Sequence, residues 1–153
     1  PFMMHGYFDA PELNAQMALP GGFIRTRDVG RFDADGYLYL VDRTSDMIVT
    51  GGYNVYPREV EDALAAHPAV REVVVVGIPD DKWGEAVAAF VALRADQQAD
   101  DAALMAFARE RLAGYKVPKS VHFIDEVPKS PVGKLLRRAV RDPFWKGRDR
   151  RIG

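Results

Sequence analysis

Residues 70–93 read VREVVVVGIPDDKWGEAVAAFVAL, and how this stretch folds decides the architecture. Residues 70–78 are rich in valine with no polar alternation, the pattern of a strand buried on both faces. Residues 86–93, AVAAFVAL, give a second strand, although their alanines suit a helix equally well. PDDKWGE between them reads as a loop that carries an exposed Trp83.

Reading outward on the N-terminal side, Pro57 suits a first helical position, and Glu59 and Glu61 suit the positive end of the helix dipole. Val60, Ala63, Leu64 and His67 recur at helical spacing, and Pro68 ends the run. Before this helix, MIVTGGYNVYP (47–57) is a short strand, a Gly51-Gly52 turn and another short strand. On the C-terminal side, DDAALMAFARERLAG (100–114) predicts an amphipathic helix capped by Asp100 or Asp101, with Leu104, Phe107, Ala108 and Leu112 as its stripe and Gly114 as its stop. SVHFID (120–125) alternates like a third strand, and KLLRRAVRD (134–142) predicts a last short helix stopped by Pro143. Strands alternating with helices from about residue 47 predict an α+β domain, a small three-stranded sheet with packed helices.

The first forty-odd residues differ. Residues 1–20 read as loop. GGFIRTRDVGRFDADGYLYLVDR (21–43) reads as strands joined by a tight turn at Asp35-Gly36. Asp33 and Asp35 resemble the start of a calcium loop, but Thr44 stands where the closing glutamate belongs, so calcium is rejected.

Composition bounds the function. The chain has 153 residues, 48% hydrophobic and 28% charged, and fits a soluble globular protein. It begins with Pro1 rather than methionine. No apolar run reaches the roughly 20 residues of a membrane helix. The absence of cysteine excludes disulfides and thiolate chemistry and suits a cytoplasmic protein. His5, His67 and His122 are scattered, against a histidine metal site. From Lys129 onward nine basic residues face only Asp142 and Asp149, including Arg150 and Arg151 at the end. That is a solvated tail or a surface for a small anion; no nucleic-acid motif accompanies it.

Three residues have a plain reading and a chemical one. Asp28, in RTRDVG, is a turn residue or an acceptor for sugar hydroxyls. Arg43, in VDRTSD, is a strand-end charge or a phosphate contact. Lys134 follows the Pro- and Gly-containing PKSPVG and is a solvated lysine or an ammonium aimed at phosphate.

Four segments in order, MHGYFDAPE, RTRDVGRFDADGYLYLVDRTSDMI, GGYNVYPREVE and PKSPVGK, resemble the C-terminal part of adenylate-forming enzymes. DMIVTGGYNVYPREVE (46–61) is most similar to the acyl- and aryl-coenzyme A ligases of that superfamily. The resemblance implies a longer enzyme that joins a carboxylic acid to ATP as acyl-AMP and then to coenzyme A as a thioester. It implies that residues 1–42 end a large N-terminal domain, 43–46 form a hinge, 47–145 form a mobile lid and 146–153 form a basic tail. The phosphate loop, acid pocket and magnesium ligand would lie outside this chain. Lys134 resembles the catalytic lysine of adenylation, Asp28 the ribose-binding aspartate and Arg43 the arginine near ribose and phosphate. Ser45 matches the hinge position. Gly51, Gly52, Trp83, Tyr115 and Lys116 match the coenzyme A channel. Two positions depart from the family pattern: Arg27 replaces a glycine, and Ser45 replaces an aspartate or lysine. An adenylation domain that loads a carrier protein, and a non-catalytic anion-binding module, are the alternative readings.

Overall fold

The computed structural model describes residues 4–148. Arg150 and Arg151, and most of the basic tail, lie outside the described residues. The chain opens with helix α1 (Pro11–Met17), strands β1 (Ala18–Leu19) and β2 (Phe23–Ile24) around a 3-10 turn, and then the β3 (Asp28–Phe32)–β4 (Leu38–Arg43) ribbon. There follow β5 (Ile48–Thr50), β6 (Tyr53–Val55), α2 (Pro57–Ala65), β7 (Val70–Asp80) and β8 (Gly84–Leu93). Helix α3 (Asp101–Arg109), β9 (Ser120–Phe123), α4 (Arg137–Arg141) and a 3-10 turn (Asp142–Trp145) complete it.

The stretch quoted at the outset is an antiparallel pair, β7 and β8, in register from Glu72↔Ala92 to Asp80↔Gly84, with a register shift between Val70 and Glu72. The expected loop therefore shrinks to residues 81–83. On its other flank β8 pairs with β5 at its start and with β9, in parallel, over residues 88–91. The three expected strands are thus joined by the β5–β6 hairpin into a five-stranded sheet.

Side chains alternate across this sheet, and both faces are covered. Val73, Val75, Val87, Ala89 and Val91 face one cluster with Ile48, Val60, Leu64 and Leu104 from β5, α2 and α3. Val74, Val76, Ala88 and Phe90 face a second with Val127 and Val140. This explains the unbroken valine run, and why the alanines of β8 form a strand: small side chains let layers pack close on both sides of a central strand.

Residues 4–47 contribute no buried residue, and Phe8, Phe23, Phe32 and Leu40 stand well exposed. One expectation fails here. Residues 11–17 form a helix rather than loop: Pro11 sits at its N-terminus, but the helix buries no residue and so shows no apolar period. The last helix, α4, ends at Arg141 ahead of Pro143, which lies in the first turn of the following 3-10 turn, where its missing N–H leaves nothing unpaired. Helix α3 starts from Asp100, whose carboxylate accepts the Ala103 amide at 2.7 Å, but ends at Arg109, before Gly114.

Candidate functional site

The β3–β4 ribbon and the start of α2 frame a cleft of about 770 Å³, lined among others by Asp28, Arg43, Asp46, Arg58, Glu59 and Arg137. Asp28 and Arg43 are register partners across the ribbon, and Arg43 Nε reaches Asp28 Oδ1 at 3.2 Å. Asp42 beside them links two parts of the chain. Its Oδ1 accepts the Arg43 amide at 2.8 Å and its Oδ2 the Arg58 amide at 2.9 Å. Helix α2 has no cap from its own Tyr56, so Asp42 supplies an acceptor for one of its free N–H groups from the ribbon. Arg27 stands at φ 66°, in the left-handed region that favours glycine. Its carbonyl accepts the Thr44 amide (2.9 Å) and hydroxyl (3.0 Å), which holds Asp28 opposite Arg43. Ser45 is half-buried, with its hydroxyl 3.4 Å from Asp46 Oδ1.

Lys134 ends a tight loop. Gly133, at φ 77°, donates to the Ser130 carbonyl at 2.8 Å; the Ser130 amide donates to the Lys134 carbonyl at 2.8 Å, and Ser130 Oγ accepts the Lys134 amide at 3.1 Å. The legs close through a Lys129↔Leu135 bridge and a Leu136 N–H bond to the Pro128 carbonyl of 2.9 Å. One leg is tied to β7 by an ion pair of Lys129 with Glu72. The other continues into Arg137, which binds Glu61 through Nη2 at 2.5 Å and Nε at 3.2 Å. The Lys134 side chain is exposed, and its ammonium makes no hydrogen bond or ion pair with the described residues.

Glu61, placed by its sequence at the positive end of the helix dipole, is also buried and accepts the Val75 amide at 2.9 Å, on the outer edge of β7. Burial pushes its carboxyl above the ordinary range, opposed by the Arg137 charge and the Val75 hydrogen bond. Its partner lies 76 residues along the chain, beyond any local signal.

Five further residues lie around the β5–β6 hairpin and the start of α2. Gly51 and Gly52 make the two-residue turn between β5 and β6, at φ 56° and 85°. The Gly51 amide donates to the Trp83 carbonyl at 2.9 Å, and a Cβ on Gly51 would lie 2.6 Å from the Trp83 ring. Tyr115 stacks on Tyr53, centroids 4.6 Å apart. Lys116 grips both Glu59 oxygens at 2.6 and 2.7 Å, and this hydrogen bonding holds its ammonium above the ordinary lysine range. Asp28 and Arg43 thus share the cleft, Gly51, Gly52, Trp83 and Tyr115 gather at the hairpin end, Lys116 is held by Glu59 of the cleft wall, and Lys134 lines neither, although Arg137 of its loop reaches the cleft. Among the described residues no cluster of three or more metal-ligating side chains occurs, and no helix is long and apolar enough to cross a membrane.

Comparison with known proteins fits this layout. Residues 59–134 match the AMP-binding enzyme C-terminal domain. The chain is 51% identical over 140 residues to a long-chain-fatty-acid–CoA ligase of Bacillus subtilis, covering 92% of this chain and 25% of that protein. It is 45% identical over 152 residues to the fatty acid–[acyl-carrier-protein] ligase ScoC of Streptomyces coeruleorubidus, covering 99% and 29%. Among solved structures, o-succinylbenzoate CoA synthetase of Bacillus subtilis, in complex with its acyl-adenylate intermediate, superposes with a TM-score of 0.83 at 37% identity, covering 98% of this chain and 29% of that one. The chain therefore spans little more than a quarter of the length of the curated relatives it matches.

Proposed function

Since the chain belongs to the AMP-binding enzyme C-terminal domain family of adenylate-forming ligases, we propose that it is the C-terminal part of an ATP-dependent carboxylic acid–coenzyme A ligase. In the first step an acid oxygen attacks the α-phosphorus of ATP and pyrophosphate leaves. In the second the thiol of coenzyme A attacks the acyl carbon and AMP leaves. The observation that carries the reading is the Lys134 loop, an exposed ammonium with no described partner on a backbone closed and anchored at both legs. A cation held this way stabilises charge building on the α-phosphate and the incoming carboxylate.

Asp28 accepts ribose hydroxyls, and Arg43, its ion-pair partner, turns toward phosphate in the same cleft. Residues 1–42 then close the large domain, 43–46 are the hinge with Ser45 at its pivot, 47–145 are the lid and 146–153 a basic tail. The start of burial at Ile48 supports that division. Gly51, Gly52, Trp83, Tyr115 and Lys116 border the coenzyme A channel, the close Gly51–Trp83 approach supporting a fixed wall there. We assign the magnesium ligand and the acid pocket to the preceding domain, and the enzyme to the cytoplasm. The likeness to ScoC favours one second reading, transfer of the acyl group to a carrier-protein thiol.

The test is a screen of the full-length parent with hexadecanoate, dodecanoate and 2-succinylbenzoate. AMP formation dependent on acid and coenzyme A is expected, and none from residues 1–153 alone. Dependence on a carrier protein in place of coenzyme A selects the second reading, and robust turnover by the isolated chain overturns both.

A further inference from the structure

We propose that Arg137 is a positioning residue that sets the Lys134 ammonium in register with the hinge. The inference rests on the reading of Lys134 as the adenylation lysine. Arg137 lies three residues beyond Lys134, and the backbone between them is fixed by the Leu135 bridge to Lys129 and the Leu136 hydrogen bond to Pro128. Little backbone slack separates the two residues.

The guanidinium addresses two elements at once. Nε and Nη2 engage Glu61, itself fixed to β7 through the Val75 amide. Nη1 lies 3.6 Å from Asp46 Oδ2. Asp46 follows Ser45 directly, and its amide donates to the Arg43 carbonyl at 3.0 Å, so it belongs to the same turn as the arginine that pairs with Asp28. Both Arg137 and Asp46 side chains are about four-fifths buried, at 19% exposure each. The Glu61 contact joins residues within the lid body and persists through rotation of the segment 43–46. The Asp46 contact is the one that rotation makes or breaks. Arg137 therefore transmits the setting of the hinge to the loop that carries Lys134, and only a planar fork reaches both carboxylates together.

The experiment uses the full-length parent, with hexadecanoate for pyrophosphate release and synthetic hexadecanoyl-adenylate for thioester formation. Arg137→Lys and Asp46→Asn are compared with Lys134→Ala, and thermal stability is read alongside. A misplacement of order 1 Å costs up to about 10²-fold in rate. Arg137→Lys is expected to lower adenylation about 10-fold relative to thioester formation. Asp46→Asn, which leaves the Glu61 pair intact, is expected to shift the same ratio by several-fold with little change in Tm. If both variants leave the ratio of the two steps at the parental value, or slow both steps only in proportion to lost stability, Arg137 is merely structural and the inference falls. If Lys134→Ala itself leaves adenylation intact, the proposed function falls first, so the two failures are distinguishable.

Discussion

Residues 47–145 carry two exposed turns built on left-handed glycines, and they are held in opposite ways. The Gly51-Gly52 turn is fixed by contact: Trp83 lies so close over Gly51 that no Cβ fits. The Ser130–Lys134 turn is open around Gly133, with nothing within 4 Å of an added Cβ, and is held by ion pairs at its legs. The lysines nearby differ to match. Lys116 is bound to Glu59, while the Lys134 ammonium has no partner among the described residues. A turn held by packing makes a wall. A turn held by charges at its base leaves its tip free to present a cation to another molecule.

The largest effect expected from breaking this contrast is that of Lys134→Ala in the full-length parent. Pyrophosphate release should fall about 10²–10³-fold, the loss typical of a removed charge-stabilising contact. Tm should hold, because the ammonium supports nothing in the fold. An equal fall in thioester formation from supplied adenylate would erase the distinction between the turns.

Next comes the base of the charged turn. Arg137→Met leaves Glu61 buried against the Val75 amide, with Asp42 adding a like charge nearby. The fold should lose about 3 kcal/mol at neutral pH. The sign follows from the carboxyl. Its folded pKa, already raised by burial, rises further without the arginine. The ionised form is then penalised above the unfolded pKa, and the penalty vanishes where both states are protonated. Urea unfolding across pH should show the deficit against the parent shrinking as pH falls toward about 4. A deficit independent of pH would mean that the pair is not ionic.

The packed turn is sharpened by comparing Gly51→Ala with Gly52→Ala. Each forces a side chain into positive φ, at about 1 kcal/mol, but only the first also collides with Trp83. Gly51→Ala should therefore cost about 1 kcal/mol more, with a shift in tryptophan fluorescence. Equal losses of Tm would show that Trp83 yields freely. In the parent, a bulky residue at position 52 should slow thioester formation more than adenylation, measured with the same two assays.

The smallest effect tests a left-handed turn that lacks glycine. Arg27→Gly relieves a positive φ but frees the unfolded chain and removes the 3.1 Å bond to Gln16. A net gain below about 1 kcal/mol is expected in chemical denaturation. A clear loss would mean that the Gln16 contact outweighs the backbone strain.

Much of this was legible in the residues. The valine run, the helix opened by Pro57, the Gly51-Gly52 turn and the loop before Lys134 each carry a local signature of burial, capping or dihedral need. The helix at residues 11–17 left none, because it buries nothing. The site was legible as a set of candidates, through motifs in order along the chain. Their grouping was not. Asp28 with Arg43, and Gly51 with Trp83, are neighbours only because strands pair in a given register.

The sequence by itself determined most of the strands and helices from residue 47 onward and the family they compose, since periodicity and turn chemistry act over a few residues. Tertiary structure alone decided which charges are joined: Glu61 to Arg137 across 76 residues, Lys116 to Glu59 and Lys129 to Glu72 across 57, and Asp42 to the amide that opens α2 across 16. An ion pair depends on where two side chains end in space and how far water is excluded between them, and no local pattern encodes either.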